Sequence, residues 1–216
     1  MKGELQPFRG WPPEAIEWFR GLEADNSREW FQAHRAVYDD ALRGPLESLL
    51  AEVHDEFGGG KVARPNRDNR FSRDKSPYKL QNYATIPRAE GGGGWYVQLR
   101  EEGLFAGAGL YMPERESLAR LRAAIDDDRT GRALERIVAA LEAAGIELME
   151  DGALKTAPRG YDANHPRIRF LRLGHFAAGV RFPIRRWLHT AASKDRVVET
   201  WRALDPLMQW AADATR

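Results

Sequence analysis

The sequence predicts an α+β fold, a largely antiparallel sheet packed with helices from the N-terminal, middle and C-terminal segments. Three observations carry this. Up to Gly60 the apolar positions recur at three- and four-residue steps, the period of helices. From Lys61 the period shortens to two, with prolines at 65, 77 and 87 punctuating short runs. After the main hairpin the helical period returns, with few of the strand-helix-strand alternations that a doubly wound parallel sheet would need.

The elements follow in order. Pro12 and Pro13 open a helix on Ile16, Phe19 and Leu22, since a first turn needs no amide donor, and Gly21 weakens its end. Asn26 followed by Glu29 reads as a capping box ahead of Trp30, His34, Val37 and Ala41. Gly44 and Pro45 should break or kink this helix. Beyond them Leu46, Leu49, Leu50, Val53 and Phe57 form a further stripe that stops at Gly58 to Gly60. Tyr83 to Ile86 alternates as a strand. After the glycine run 91–94, Trp95, Val97 and Leu99 alternate with Tyr96, Gln98 and Arg100. Glu101 to Gly103 turns the chain and Leu104 to Tyr111 returns it as a hairpin, with Gly107 and Gly109 marking a bulge or a close approach. Two amphipathic helices follow, on Leu118, Leu121 and Ile125 and on Leu134, Ile137, Val138 and Leu141, the second ending at Gly145. Ile146 to Met149 and Ala153 to Thr156, joined at Asp151 and Gly152, read as a second hairpin, and 157–166 as a loop. From about Trp187 the chain is helical again, burying Val197, Val198, Trp201, Leu204, Leu207 and Trp210.

With 216 residues and 43% hydrophobic content the chain is long enough to bury a sizeable core, and it reads as a single domain over 1–216. Its 33 Lys and Arg balance 32 Asp and Glu, so no whole-molecule field draws it to nucleic acid or acidic lipid, and any attraction must be local. The lack of cysteine excludes disulfides, thiolate metal sites and a cysteine nucleophile, and suits a reducing compartment. Met1 to Gly10 holds no apolar run of signal-peptide length, and no stretch of about 18 consecutive apolar residues occurs. A cytoplasmic protein without a membrane span is expected.

Two segments concentrate chemistry. Arg64 to Lys79 carries six cations and two anions within turn-forming Asn, Asp, Ser and Pro residues, in a chain that is otherwise balanced. Arginine forks bind carboxylate or phosphate with paired hydrogen bonds and lysine adds a mobile point charge, so Arg70, Arg73, Lys75 and Lys79 are candidate anion donors. Tyr78 is a candidate stacking ring, and Asp74 a candidate general base if its pKa is raised. The alternative is a solvated loop in which Asp68 and Asp74 pair with neighbouring arginines. The second segment, Leu154 to Arg169, brings Lys155, Arg159, Asp162, His165, Arg167 and Arg169 together. Asp162 and His165 are a candidate general base and orienter, or half of a metal site, with His165 also a candidate proton carrier, against a reading in which Pro166 starts a helix capped by Asp162 or Asn164. The five histidines lack metal-ligand spacing, and the Gly-rich phosphate and nucleophile-elbow motifs are missing. No metal and no cofactor is expected.

Four blocks in order, F-R-G-W (8–11), N-S-R-E-W-F (26–31), R-F-S-R-D-K-S-P-Y-K (70–79) and L-K-T-A-P-R-G-Y-D-A-N-H-P (154–166), resemble the bacterial and fungal family of domain of unknown function 2461. The resemblance spans nearly the whole chain and implies no activity. Both charged segments coincide with its blocks, which favours an anion site on Arg70, Ser72, Arg73, Asp74, Lys75, Tyr78 and Lys79 with Arg159, Asp162 and His165. An anionic small molecule is the expected partner. The alternatives are a nucleic-acid module stacking on Tyr78 or Tyr161, and a structural domain in which the charges are internal struts.

Overall fold

A computed structural model describes residues 6–70, 72–88 and 93–216. Its described strands form one six-stranded sheet in the order β1-β2-β3-β4-β6-β5: β1 Lys61–Val62, β2 Asn82–Pro87, β3 Gly94–Arg100, β4 Gly103–Leu110, β5 Glu147–Leu148 and β6 Phe176–Pro183. With the helices on either side of these strands in sequence, the chain is α+β as expected. It divides into two compact units: Met1–Ile86, Tyr96–Ala106 and Arg181–Glu199 form the first, and Pro87–Trp95, Gly107–Val180 and Thr200–Arg216 the second.

In the first unit, α1 (Glu14–Ala24) follows Pro13 and buries Ile16, Phe19 and Leu22, the predicted stripe, together with Trp18. Helix α2 (Arg28–Ala33) starts one residue later than the capping box implies. Ser27 is the cap, its Oγ accepting the Trp30 N–H at 3.1 Å. Asn26 is occupied elsewhere, because its side-chain amide donates to the Tyr78 carbonyl and accepts the Tyr78 N–H, both at 3.1 Å. A short α3 (Arg35–Val37) leads through a π-helical turn (Tyr38–Arg43) into α4 (Gly44–Glu52). The expected break at Gly44 and Pro45 does not occur. Pro45 sits in the first turn of α4, where its missing N–H costs nothing, and the irregularity is taken up one turn earlier. α5 (His54–Phe57) closes the run at Gly58, whose φ of 89° suits glycine.

Trp18 is the centre of an aromatic cluster with Phe19, Trp30, Phe31 and Tyr38, at centroid separations of 5.3 to 5.8 Å. Burial in this cluster pushes the Tyr38 phenol up to about 12 from its ordinary 10, with Asn82 hydrogen-bonded to it. The charged form is the one disfavoured, so an unfolded chain gives up this proton first. Stability owed to Tyr38 is therefore complete below pH 10 and lost as pH rises through 12, a loss of about 2–3 kcal/mol. A phenolate titration followed by absorbance should show Tyr38 ionising late, together with a falling urea midpoint. Six phenols titrating together near 10 would contradict this.

On β2 the alternation is clean, on β3 it is broken only by the buried Gln98, and on β4 it runs to Ala106, beyond which Gly107 to Leu110 are all buried. Ala84, Ile86, Val97, Leu99, Leu104 and Ala106 are buried on one side, while Tyr83, Thr85, Tyr96 and Phe105 on the other keep some exposure.

In the second unit, α6 (Arg115–Asp126) and α7 (Asp128–Ala143) are the two predicted amphipathic helices, and Gly145 lies beyond α7 at φ 75°. Asp127 caps α7 through the Arg129 and Thr130 N–H groups. The expected second hairpin is not there. Only β5 forms, and it pairs antiparallel with β6, Glu147 opposite Gly179. The partner assigned to it, 153–156, makes a turn from Glu150 and a single backbone bond from Leu154 N–H to the Arg172 carbonyl. Strand β6 itself, F-A-A-G-V-R-F-P, is too rich in Ala and Gly to declare itself by β-propensity. Short α8 (Ile168–Leu171) follows Pro166, and α9 (Ala192–Thr215) is the C-terminal helix, with Pro206 inside it. Gly109 confirms a close approach: at φ 156° it lies against Ala177, where a Cβ would collide with backbone. Of the glycine run, Gly91 and Gly92 lie outside the described residues, as do Met1 to Leu5 of the N-terminus. No helix among the described residues is long and apolar enough to cross a membrane.

Candidate ligand-binding surfaces

In the first unit the charged segment folds back on itself between β1 and β2. Arg67 N–H donates to the Pro77 carbonyl at 2.8 Å and Lys79 N–H to the Pro65 carbonyl at 2.9 Å, around an Asn66–Tyr78 bridge. Further out, Asn69 and Lys75 hold each other, Asn69 Nδ2 donating to the Lys75 carbonyl and Lys75 Nζ to the Asn69 carbonyl. Arg67 reaches the Asp74 carboxylate and the Ser76 hydroxyl, Arg70 pairs with Asp68, and Lys79 Nζ donates to the Arg64 carbonyl. Tyr78 fixes the base of the loop. It is 5% exposed and stacks on Phe31 at 4.0 Å with 12° between the planes, so its ring is already covered.

These contacts decide what each side chain has left. The Ser76 N–H, then its hydroxyl and Arg67, hold the Asp74 carboxyl below its ordinary value, the direction opposite to that of a general base at neutral pH. Arg70 likewise holds Asp68 low. Among the described residues, Arg64 and Arg73 are exposed with no hydrogen bond or ion pair from their guanidinium groups, whereas Arg67, Arg70 and Lys75 are engaged within the loop. Ser72 is half-buried, its N–H bonded to the Asn69 carbonyl.

The second segment lies in the other unit. His165 is 15% exposed, with Nε2 3.1 Å from the Asp126 carboxylate and Nδ1 accepting the Arg167 N–H at 3.0 Å. A nitrogen that accepts a backbone N–H carries no proton, so the ring is the Nε2–H tautomer donating to Asp126. Both nitrogens are spoken for. It is this ring, and neither Asp162 nor Asn164, that receives an N–H at the start of the α8 turn. Asp162 instead accepts the Asn164 N–H at 2.7 Å in a tight turn. Arg167 is 5% exposed and donates to the Ile125 and Asp126 carbonyls and to Asp128. Arg169 bridges Glu142 and Glu150. Lys155 and Arg159 are exposed, without a side-chain partner among the described residues. Burial, then the Asp126 charge, raises the Tyr161 phenol above its ordinary range. Sequence reading missed Asp126, since a carboxylate at a helix end gives no sign of the histidine some forty residues on.

The first unit holds a further set of cations. Antiparallel order brings the loop 63–81, the turn at Glu101 and Glu102, and the segment after β6 out of the same end of the sheet; Gly103 faces Phe182 across β4 and β6. Arg181, Arg185 and Arg186 are exposed there, and Arg185 and Arg186 have no side-chain partner among the described residues. Arg196 lies 4.7 Å from the Trp187 ring centre. No group of three His, Cys, Asp or Glu side chains able to hold a metal ion occurs among the described residues.

The sequence model of a family described as conserved hypothetical protein, DUF2461, matches residues 14–210. No curated protein matches the chain.

Proposed function

The chain belongs to the DUF2461 family, and from the geometry of its first unit we propose that it binds an anionic ligand at the end of the sheet where the loop 63–81 and the segment after β6 emerge. The observation that carries this reading is the placement of Arg64, Arg73, Arg185 and Arg186: exposed, with no hydrogen bond or ion pair from their guanidinium groups among the described residues, and on two stretches leaving one sheet end. The cross-bonded loop holds Arg73 near its tip on a fixed backbone, which lowers the ordering cost of engaging phosphate or carboxylate. The reading is of a binding protein. Asp74 is held ionised by its neighbours and His165 has both nitrogens engaged, so neither is poised to move a proton.

Calorimetric titration of the full chain with inorganic phosphate and with citrate tests it. Saturable binding is expected, and the triple change Arg73→Ala, Arg185→Ala and Arg186→Ala should weaken it at least tenfold, since one charged hydrogen bond is worth about 1.5–3 kcal/mol. An unchanged affinity in the triple variant, or no saturable heat for either anion up to about 10 mM, a range reaching contacts weaker than about 3 kcal/mol, would overturn the proposal.

A further inference from the structure

On the side of β2, β3 and β4 that carries Tyr83, Tyr96 and Phe105, the three rings form a continuous ladder. Tyr83 and Tyr96 lie 5.4 Å apart, and Tyr96 and Phe105 6.0 Å. All three are half-buried, unlike the fully buried neighbours that alternate with them, and Gln98 on their own side is buried. A cation closes each end: Lys79 Nζ is 5.1 Å from the Tyr83 ring centre, and the Arg181 guanidinium from β6 is 5.3 Å from that of Phe105. Between the ends, Gln98 accepts the Tyr96 hydroxyl proton at 2.5 Å. Arg100 stands on the same side of β3 as Tyr96, its side chain 42% exposed although its Nε is buried without a hydrogen-bond partner, 3.9 Å from the Glu102 carboxylate.

Aromatic rings on the open side of a sheet are costly to leave in water unless something covers them. The usual filling for such a surface is another apolar element, yet here the row is bracketed by Lys79 and Arg181 and bordered by Arg100, which an apolar partner would have to desolvate without compensation. An acidic peptide would satisfy the cations and leave the rings with nothing planar to meet. A ligand that alternates flat rings with negative charges satisfies both. We propose that this sheet face is a platform for single-stranded nucleic acid, with bases stacking along Tyr83, Tyr96 and Phe105 and phosphates met by Lys79, Arg100 and Arg181.

The dimensions fit a strand better than a lone nucleotide. The five groups from Lys79 to Arg181 are separated by successive steps of 5.1, 5.4, 6.0 and 5.3 Å, and sheets of this kind stack two or three successive bases on such rings. A duplex presents its bases edge-on inside the helix and has no use for the ladder. The near-balanced charge of the whole chain is no obstacle, because phosphate contact needs only a local stripe, which Lys79, Arg100 and Arg181 supply. The inference goes beyond the anion-binding reading of the same unit, taking its phosphate contacts from Lys79, Arg100 and Arg181, and adds the rings and the polymer.

The test is fluorescence anisotropy of the full chain with labelled single-stranded DNA and RNA ten-mers, the matching duplexes, and heparin as a polyanion without bases, at about 50 and 200 mM salt. Single strands should bind more tightly than duplex, with the DNA and RNA arms deciding which sugar is preferred. Phe105→Leu and Tyr96→Leu, which keep apolar bulk and remove the flat ring, should each weaken single-strand binding about 5- to 150-fold and leave phosphate binding in the calorimeter unchanged. Tyr83→Ser provides a third position should either leucine variant lower the unfolding midpoint. Single-strand affinity equal to that for heparin and untouched by the ring variants would overturn the platform and leave the anion site standing. No binding to either strand at about 50 mM salt, where phosphate contacts are strongest, would likewise overturn it.

Discussion

Replacing Arg167 by alanine is expected to lower stability by about 1–3 kcal/mol, the range for leaving buried acceptors without their donor. The guanidinium is 5% exposed and makes three directed bonds: Nε to the Ile125 carbonyl at 2.6 Å, and Nη2 to the Asp126 carbonyl and to Asp128 Oδ1, both at 2.9 Å. Ile125 and Asp126 end α6, where carbonyls have run out of intrahelical partners and a positive charge meets the negative end of the helix dipole. Asp128 opens α7, so one side chain ties the close of one helix to the start of the next. Gly131 makes room for it, since a Cβ there would stand 2.5 Å from the Arg167 Nε. Arg167→Lys keeps the charge and loses the planar fork, so only part of the loss should return. The acid limb offers a separate check. The Arg167 hydrogen bond, ahead of the nearby arginine charges, lowers the Asp128 pKa. Stability from Asp128 is thus present above the ordinary carboxylate range and lost as pH falls through the depressed value, and Arg167→Ala should remove this part of the acid dependence. A change in the urea-derived stability of less than about 1 kcal/mol, an ordinary surface effect, would show that the network contributes little.

Arg167 also illustrates how much of the surfaces was legible in advance. The second charged segment declares itself in sequence as a cluster of cations around Asp162 and His165, but charge alone does not say which cations are solvated and which are struts. The distinction depends on Ile125, Asp126 and Gly131, some forty residues away, and nothing in the spacing of 154–169 points to them. The first segment read better. Its Asn, Asp, Ser and Pro residues imply a chain that turns on itself, and the loop does so. The Asp74 environment was beyond reach, because the Ser76 N–H that lowers its pKa is set by the turn itself. Among the elements, periodic helices and the Trp95 to Leu110 hairpin were plain because their apolar residues recur at the period of the backbone. Strand β6 was silent, since an Ala-Ala-Gly run has neither β-branching nor alternation to offer, and with it went Arg181. Of the rings at 83, 96 and 105, only Tyr96 was in view as the polar-side partner of an alternating pattern. Their joining into one row depends on register across three strands, which a single sequence does not encode locally.

Gly10→Ala is expected to destabilise the chain by about 2–5 kcal/mol, although it adds one methyl group far from either charged segment in sequence; two costs add. Gly10 has φ 94°, a conformation that costs an L-residue about 1–2 kcal/mol. Its missing Cβ would also collide with the Thr190 N–H, standing only 2.6 Å from the His189 carbonyl carbon and 2.7 Å from the Thr190 oxygen, a backbone overlap in the range of about 1–3 kcal/mol for overpacking. The neighbours leave no slack for the chain to move. Phe8 N–H donates to Glu52 at 2.6 Å while Lys194 holds the other oxygen of that carboxylate at 2.5 Å, and Trp11 is fully buried with its backbone N–H on the Leu188 carbonyl at 3.1 Å. His189 Nδ1 sits 2.7 Å from the Trp11 carbonyl, closing the clasp from the other side. The block Phe8-Arg9-Gly10-Trp11, one of the four that carry the family resemblance, is thereby explained as packing: a glycine allows two backbones to touch, and a tryptophan fills the space behind them. Urea unfolding of Gly10→Ala should show a lowered midpoint with an unchanged slope. A stability within about 0.5 kcal/mol of the parent, the level of an inert surface change, would mean that the segment yields and that the block owes its sequence to something other than this contact.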